Sequence, residues 1–141
     1  MSPGHPLHPH TVGLVALGGA LGASARYELS VWFPDTGSVF PWTTFTINLV
    51  GSFLLALLPA LAVVRRNHRL PPFLGTGILG GFTTLSAYSQ QARDLVAADS
   101  VGLAGVYVFG TLLACLAAVA VADRFNSAPA RAEFDAEEGD L

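Results

Sequence analysis

Charged side chains are bunched along this chain, and between the bunches lie four long uncharged apolar stretches: 11–25, 43–64, 70–92 and 100–122. About 20 consecutive apolar residues suffice to cross a bilayer as a helix. The pattern predicts an all-α membrane protein with four transmembrane helices, at about 11–30, 43–64, 70–92 and 100–122. Residues 11–123 form the membrane domain, 1–10 a flexible lead and 124–141 an acidic disordered tail. The third span is irregular. Its centre, Gly80-Gly81-Phe82-Thr83-Thr84, joins two glycines to two β-branched threonines, a poor continuous helix. The expectation is a helix broken at mid-membrane. Broken backbone is tolerated in hydrocarbon only where protein, water or an ion satisfies its polar groups. Two readings stay open at this point: an ion or polar solute at that depth, or a glycine packing face, since Gly77 and Gly81 form a small-xxx-small pair.

Polar residues inside the spans fall in register. Thr44, Asn48 and Ser52 recur every four residues on the second span, and Tyr107, Thr111 and Cys115 do so on the fourth. An asparagine in a span is costly unless its amide finds partners. The stripes fit either interhelical hydrogen bonding or the lining of a pathway with the Asn48 amide offered to an anion. On the first span, Gly18 and Gly22 give another close-approach face, and Arg26 ends it. Arg26 reads either as a snorkelling interface arginine or as the mouth of an anion pathway. Leu85 and Tyr88 share a face in the second half of the third span, with Ser86 beside them.

Composition supports the membrane class: only 12% of residues are charged, against about 25% in soluble domains. All seven basic residues are arginine, and the net charge of −3 owes much to the last residues. The lone Cys115 excludes an internal disulfide framework, and no nucleotide loop or paired nucleophile and base suggests an enzyme. No basic region precedes the first apolar run, which argues against a cleaved signal peptide. Four spans put Arg65, Arg66, Arg69, Arg124 and Arg131 on one side, against Arg26 and Arg93 on the other. The positive-inside rule then places both termini in the cytoplasm, in one fixed orientation.

Four stretches together resemble the Fluc (CrcB) family of small bacterial fluoride channels. They are Gly18–Tyr27 (GGALGASARY), Thr44–Phe53 (TFTINLVGSF), Gly77–Ser89 (GILGGFTTLSAYS) and the Tyr107–Thr111 pair, in family order and one per span. The resemblance implies a passive fluoride channel of the bacterial inner membrane, relieving fluoride toxicity, built as an antiparallel, dual-topology-type dimer with pores along the subunit interface. It implies a structural sodium ion at the centre of that dimer, held by the backbone carbonyls of Gly80 and Thr83. It maps the fluoride pathway onto Asn48, Thr44, Leu85, Tyr88, Tyr107, Thr111, Arg26 and Ser86. The implied partners are fluoride, membrane lipid and a second subunit.

The departure from the family pattern lies where two phenylalanines line the path. Leu85 and Tyr88 stand there, and leucine lacks the electropositive ring edge that can face an anion. Together with the fixed orientation, this points to pairing with an oppositely inserted paralogue, with a homodimer as the other arrangement. A non-conducting partner subunit that stabilises or regulates such a paralogue is the alternative function. A small multidrug-type proton antiporter would need a carboxylate at mid-membrane, whereas Glu28 lies near a span end.

Overall fold

The computed structural model describes residues 9–36, 39–128, 130 and 132. The tail from 133 onward and residues 1–8 of the lead lie outside the described residues. Among the described residues every regular element is helical. Helix α1, Pro9–Trp32, opens on a proline, whose missing N–H and fixed φ suit a first helical position. The helix therefore takes in the last two residues of the expected lead. Pro34 follows its end, where residues before a proline avoid helical backbone.

Helix α2, Trp42–Leu57, is shorter than the expected second span. Pro59 lies just beyond it, and the chain tightens into a 3₁₀ turn, Leu58–Ala60, before Leu61 turns extended (φ −83°, ψ 107°). One further helical turn, α3 at Ala62–Arg65, completes the stretch. A π-helix, Pro72–Leu79, then runs into the single turn α4, Gly80–Phe82. The Gly80 N–H reaches the carbonyl of Gly75, the wider ring of π geometry. Thr83 (ψ 157°) and Thr84 (φ −148°, ψ 124°) are extended, a backbone that β-branched residues favour. Helix α5, Leu85–Ala97, begins at once, its first turn capped by the Thr84 hydroxyl, which accepts from Ala87 N–H at 3.1 Å. After Asp99, at φ 55°, helix α6 runs over Val101–Asp123.

The two glycine pairs read in the sequence meet each other. Helix α1 lies directly on the π-helix and α4, with Gly18 against Phe73 and Gly77, Gly22 against Ile78 and Phe82, and Gly81 against Gly19. At each point backbone occupies the space that a methyl group would need, the close approach that small residues permit. Two apolar clusters sit at opposite ends of α2. One gathers Leu58, Val64 and Leu79; the other joins Leu95, Ala104 and Tyr107 with Phe40 and Phe45 against them.

Two helical stretches, Trp42–Ala60 and Val101–Asp123, are long and apolar enough to cross a membrane, with mean hydropathy 1.6 and 2.2. Only 28% and 17% of these stretches is buried, which separates them from the core helices of a soluble protein. Leu112, Leu113, Leu116 and Phe109 on α6 all stand exposed. Such a surface suits hydrocarbon rather than water.

Candidate functional site

Helices α2 and α6 and the α4–α5 break enclose an open groove of about 290 Å³. Helix α2 lends Asn48 and Ser52, the break lends Thr83, Thr84, Leu85 and Tyr88, and α6 lends Thr111 and Cys115. The groove carries no ionisable acid or base other than the phenol of Tyr88 and the thiol of Cys115. Its lining is without fixed charge and mixes apolar side chains with hydroxyls and one amide.

Asn48 is the anchor. Its Oδ1 accepts from Thr84 N–H at 2.8 Å and its Nδ2 donates to the Thr84 carbonyl at 3.0 Å. One side-chain amide thus satisfies both backbone groups of a residue that the helix break would otherwise strand. A primary amide carries two N–H bonds, so one amide hydrogen of Asn48 remains to be donated. Across the groove Thr111 is 3% exposed, and its Oγ1 is buried without a hydrogen-bond partner among the described residues. A helical threonine usually returns its hydroxyl to the preceding turn; this one does not. An orphaned buried hydroxyl costs about 1–3 kcal/mol.

Leu85 stands at the groove edge, 75% exposed. The Tyr88 ring lines the groove, while its hydroxyl is spent on the carbonyl of Val108 at 2.7 Å. Other pathway candidates sit elsewhere. Thr44 is buried and its hydroxyl donates to Asp35 Oδ2 at 3.1 Å. Tyr107 is fully buried, and its hydroxyl donates to Gln91 Oε1 at 2.8 Å. Ser86 is exposed and faces the Thr84 hydroxyl at 3.2 Å. Arg26 reaches the far side of the break, where its Nε donates to the Gly81 carbonyl at 3.3 Å. A guanidinium there complements the negative end of the α4 turn. Asp35 and Gln91 join Thr44 and Tyr107 into one network, and sequence reasoning assigned no role to either. The available signal was Asp35 itself, a lone acid just ahead of a helix whose start, Pro41, has no side-chain cap.

Among the described residues, no group of three His, Cys, Asp or Glu side chains gathers to hold a metal. Backbone oxygens are the other donor class. Because Thr84 N–H is turned to Asn48, the Gly80 carbonyl loses its normal partner four residues on, and Thr83 presents its carbonyl from extended backbone. Neutral oxygens at a helix C-terminus fit a hard monovalent cation.

Comparison with known proteins agrees in extent with the region that holds this groove. The family model described as "CrcB-like protein, Camphor Resistance (CrcB)" matches residues 13–122. Among curated proteins, the chain is similar to "Fluoride-specific ion channel FluC 1" of Streptomyces coelicolor, 46% identical over 110 residues, covering 77% of this chain and 71% of the relative. It is similar to "Fluoride-specific ion channel FluC 2" of Nocardia farcinica, 43% identical over 116 residues, covering 81% and 83%. A third relative, "Fluoride-specific ion channel FluC" of Cereibacter sphaeroides, is 50% identical over 95 residues, covering 67% of this chain and 76% of its own. A helical membrane protein matched over nearly all its apolar length at these identities, this chain belongs to the CrcB (Fluc) family.

Proposed function

We propose that this chain is a subunit of a passive, fluoride-selective channel that lets cytoplasmic fluoride leave a bacterial cell across the inner membrane. The observation that carries the reading is a groove whose lining holds no fixed charge, with Asn48 gripping the Thr84 backbone on one wall and Thr111, whose buried hydroxyl has no hydrogen-bond partner among the described residues, on the other. Fluoride is small and strongly hydrated, so a selective path must replace its water with close donors. Neutral donors do this without a fixed charge that would trap the ion. The names of the relatives supply the ion; the groove supplies the chemistry.

In this reading four spans cross the membrane, the third broken at mid-depth by Thr83 and Thr84, with both termini cytoplasmic. The groove becomes a closed path when a second, antiparallel subunit covers it. Asn48 fixes the break and hands the ion on, Thr111 receives it, and Leu85 and the Tyr88 ring form the apolar wall. Arg26 acts at a vestibule on the other face of the break, and Ser86 at the groove's edge. Thr44 and Tyr107 support the wall from the Asp35 network. Gly80 and Thr83 carbonyls would hold a sodium ion, which supplies positive charge to the broken helix end.

The arginine asymmetry favours an oppositely inserted paralogue over a second copy as the partner. The exposed Leu85 favours one further reading, a subunit whose own groove conducts poorly and whose main role is to complete a paralogue's pore. Fluoride efflux from liposomes, with Asn48→Ala and Thr111→Val beside the unaltered chain, tests the proposal. Retained efflux in both variants overturns the assignment of this groove.

A further inference from the structure

The carboxylate of Asp35 collects four donors from two parts of the chain, the start of α2 and α5. Its Oδ1 accepts from Thr43 N–H at 2.9 Å, and its Oδ2 from Thr44 N–H at 3.0 Å, the Thr44 hydroxyl at 3.1 Å and Gln91 Nε2 at 3.1 Å. The first two are orphan amides of the α2 N-terminus, so Asp35 caps this helix from the preceding loop, where Pro41 cannot. The contact with Gln91 links positions 56 residues apart. It does more than tether.

A side-chain amide has one donor end and one acceptor end. With Nε2 drawn to the carboxylate, Gln91 must turn Oε1 toward Tyr107, and the Tyr107 phenol must then donate its proton to Gln91, at 2.8 Å. That proton is thereby withheld from any anion. The fixed Tyr107 ring packs on Phe40 edge-on, with centroids 5.4 Å apart, and on Tyr88 at 5.1 Å. Tyr88 in turn is pinned to α6 through the Val108 carbonyl and forms part of the groove wall.

We propose that Asp35 is a positioning residue for the pathway: through Gln91 it sets the hydrogen-bond direction of Tyr107, and so seats α5 and the Tyr88 ring against α6. This inference rests on the conduction reading above, and its test separates the two. The single variants Asp35→Ala, Gln91→Leu and Tyr107→Phe are made, with the Asp35→Ala/Tyr107→Phe double and that double cycle repeated in the Gln91→Leu background. The hydrogen-bonded route from Asp35 to Tyr107 runs through Gln91, so the coupling that this route carries is the part lost when Gln91 is replaced.

Each single variant lowers fluoride efflux about tenfold, and Asp35→Ala adds less than about twofold once the Tyr107 hydroxyl is gone. Thermal unfolding midpoints of the same proteins, read in detergent without fluoride, shift non-additively for Asp35→Ala and Tyr107→Phe. The non-additivity vanishes in the Gln91→Leu background. Additive midpoint shifts, or multiplying flux losses, overturn the relay and leave Asp35 as a cap of α2 alone. Non-additive midpoints with no efflux from the unaltered chain, reconstituted either alone or with an oppositely inserted relative, uphold the relay and reject conduction instead. Asp35→Asn, which keeps one acceptor oxygen for the α2 amides, replaces Asp35→Ala in the cycle if the alanine variant does not fold.

Discussion

Gly22→Ala places a methyl group where α1 leaves no room for one. The new Cβ would fall on the carbonyl oxygen of Ile78, and within 2.9 Å of both the Ile78 carbonyl carbon and the Phe82 nitrogen. Comfortable contacts of this kind lie near 3.5 Å, so α1 must retreat by about 0.6 Å or more, and backbone cannot swing aside as a side chain can. Overpacking of this sort costs about 1–3 kcal/mol. Alanine also gains about 1 kcal/mol of helix propensity over glycine, which would mask part of the loss. Gly13→Ala on the same helix removes that ambiguity, because nothing lies within 4 Å of its added Cβ. The propensity gain is common to both variants, so the gap between them isolates the packing term. Thermal unfolding of the two purified proteins in detergent should place Gly22→Ala below Gly13→Ala by about 1–3 kcal/mol. Equal midpoints would refute the claim that α1 and the π-helix meet through their backbones.

Three further outcomes follow from the groove. Thr111→Val removes a buried hydroxyl without a partner, so unfolding stability should hold or rise by about 1 kcal/mol while efflux falls; lost stability with intact efflux would make the hydroxyl structural. Leu85→Phe restores a ring edge at the groove rim and should raise efflux measured by a fluoride electrode, whereas unchanged flux favours the subunit that completes a paralogue's pore. Thr84→Ala deletes the α5 cap and should cost about 1 kcal/mol in unfolding stability, with no cost expected if the Ala87 amide finds water instead.

The helices were largely legible from the sequence, because apolar run length and proline placement are local signals. The glycine contact was legible for the same reason: Gly18 and Gly22, and Gly77 and Gly81, each recur at the spacing of one helix face. The end of α2 was harder, since Pro59 lies inside an uninterrupted apolar run and only its missing N–H marks the stop. Among candidate site residues, Asn48, Thr111, Tyr88 and Leu85 share one groove, but Thr44 and Tyr107 do not join them. A hydroxyl at helical spacing reads the same whether it faces a lumen or a neighbouring helix. The Thr44 hydroxyl is engaged by Asp35 and that of Tyr107 by Gln91, onto which Asp35 folds back from the loop, a long-range contact that no periodicity encodes. Likewise, that Asn48 grips both backbone groups of Thr84 depends on two spans meeting, not on either one.

The most direct test of the account is electrogenic fluoride efflux from liposomes, measured with a fluoride electrode after a potassium ionophore is added. The purified chain is reconstituted alone and together with an oppositely inserted relative, each with and without Asn48→Ala. The account predicts fluoride release in at least one preparation, abolished by Asn48→Ala and by Thr111→Val, the second of which leaves the fold intact. A flat trace from folded protein in both preparations, or release indifferent to Asn48 and Thr111, would contradict it.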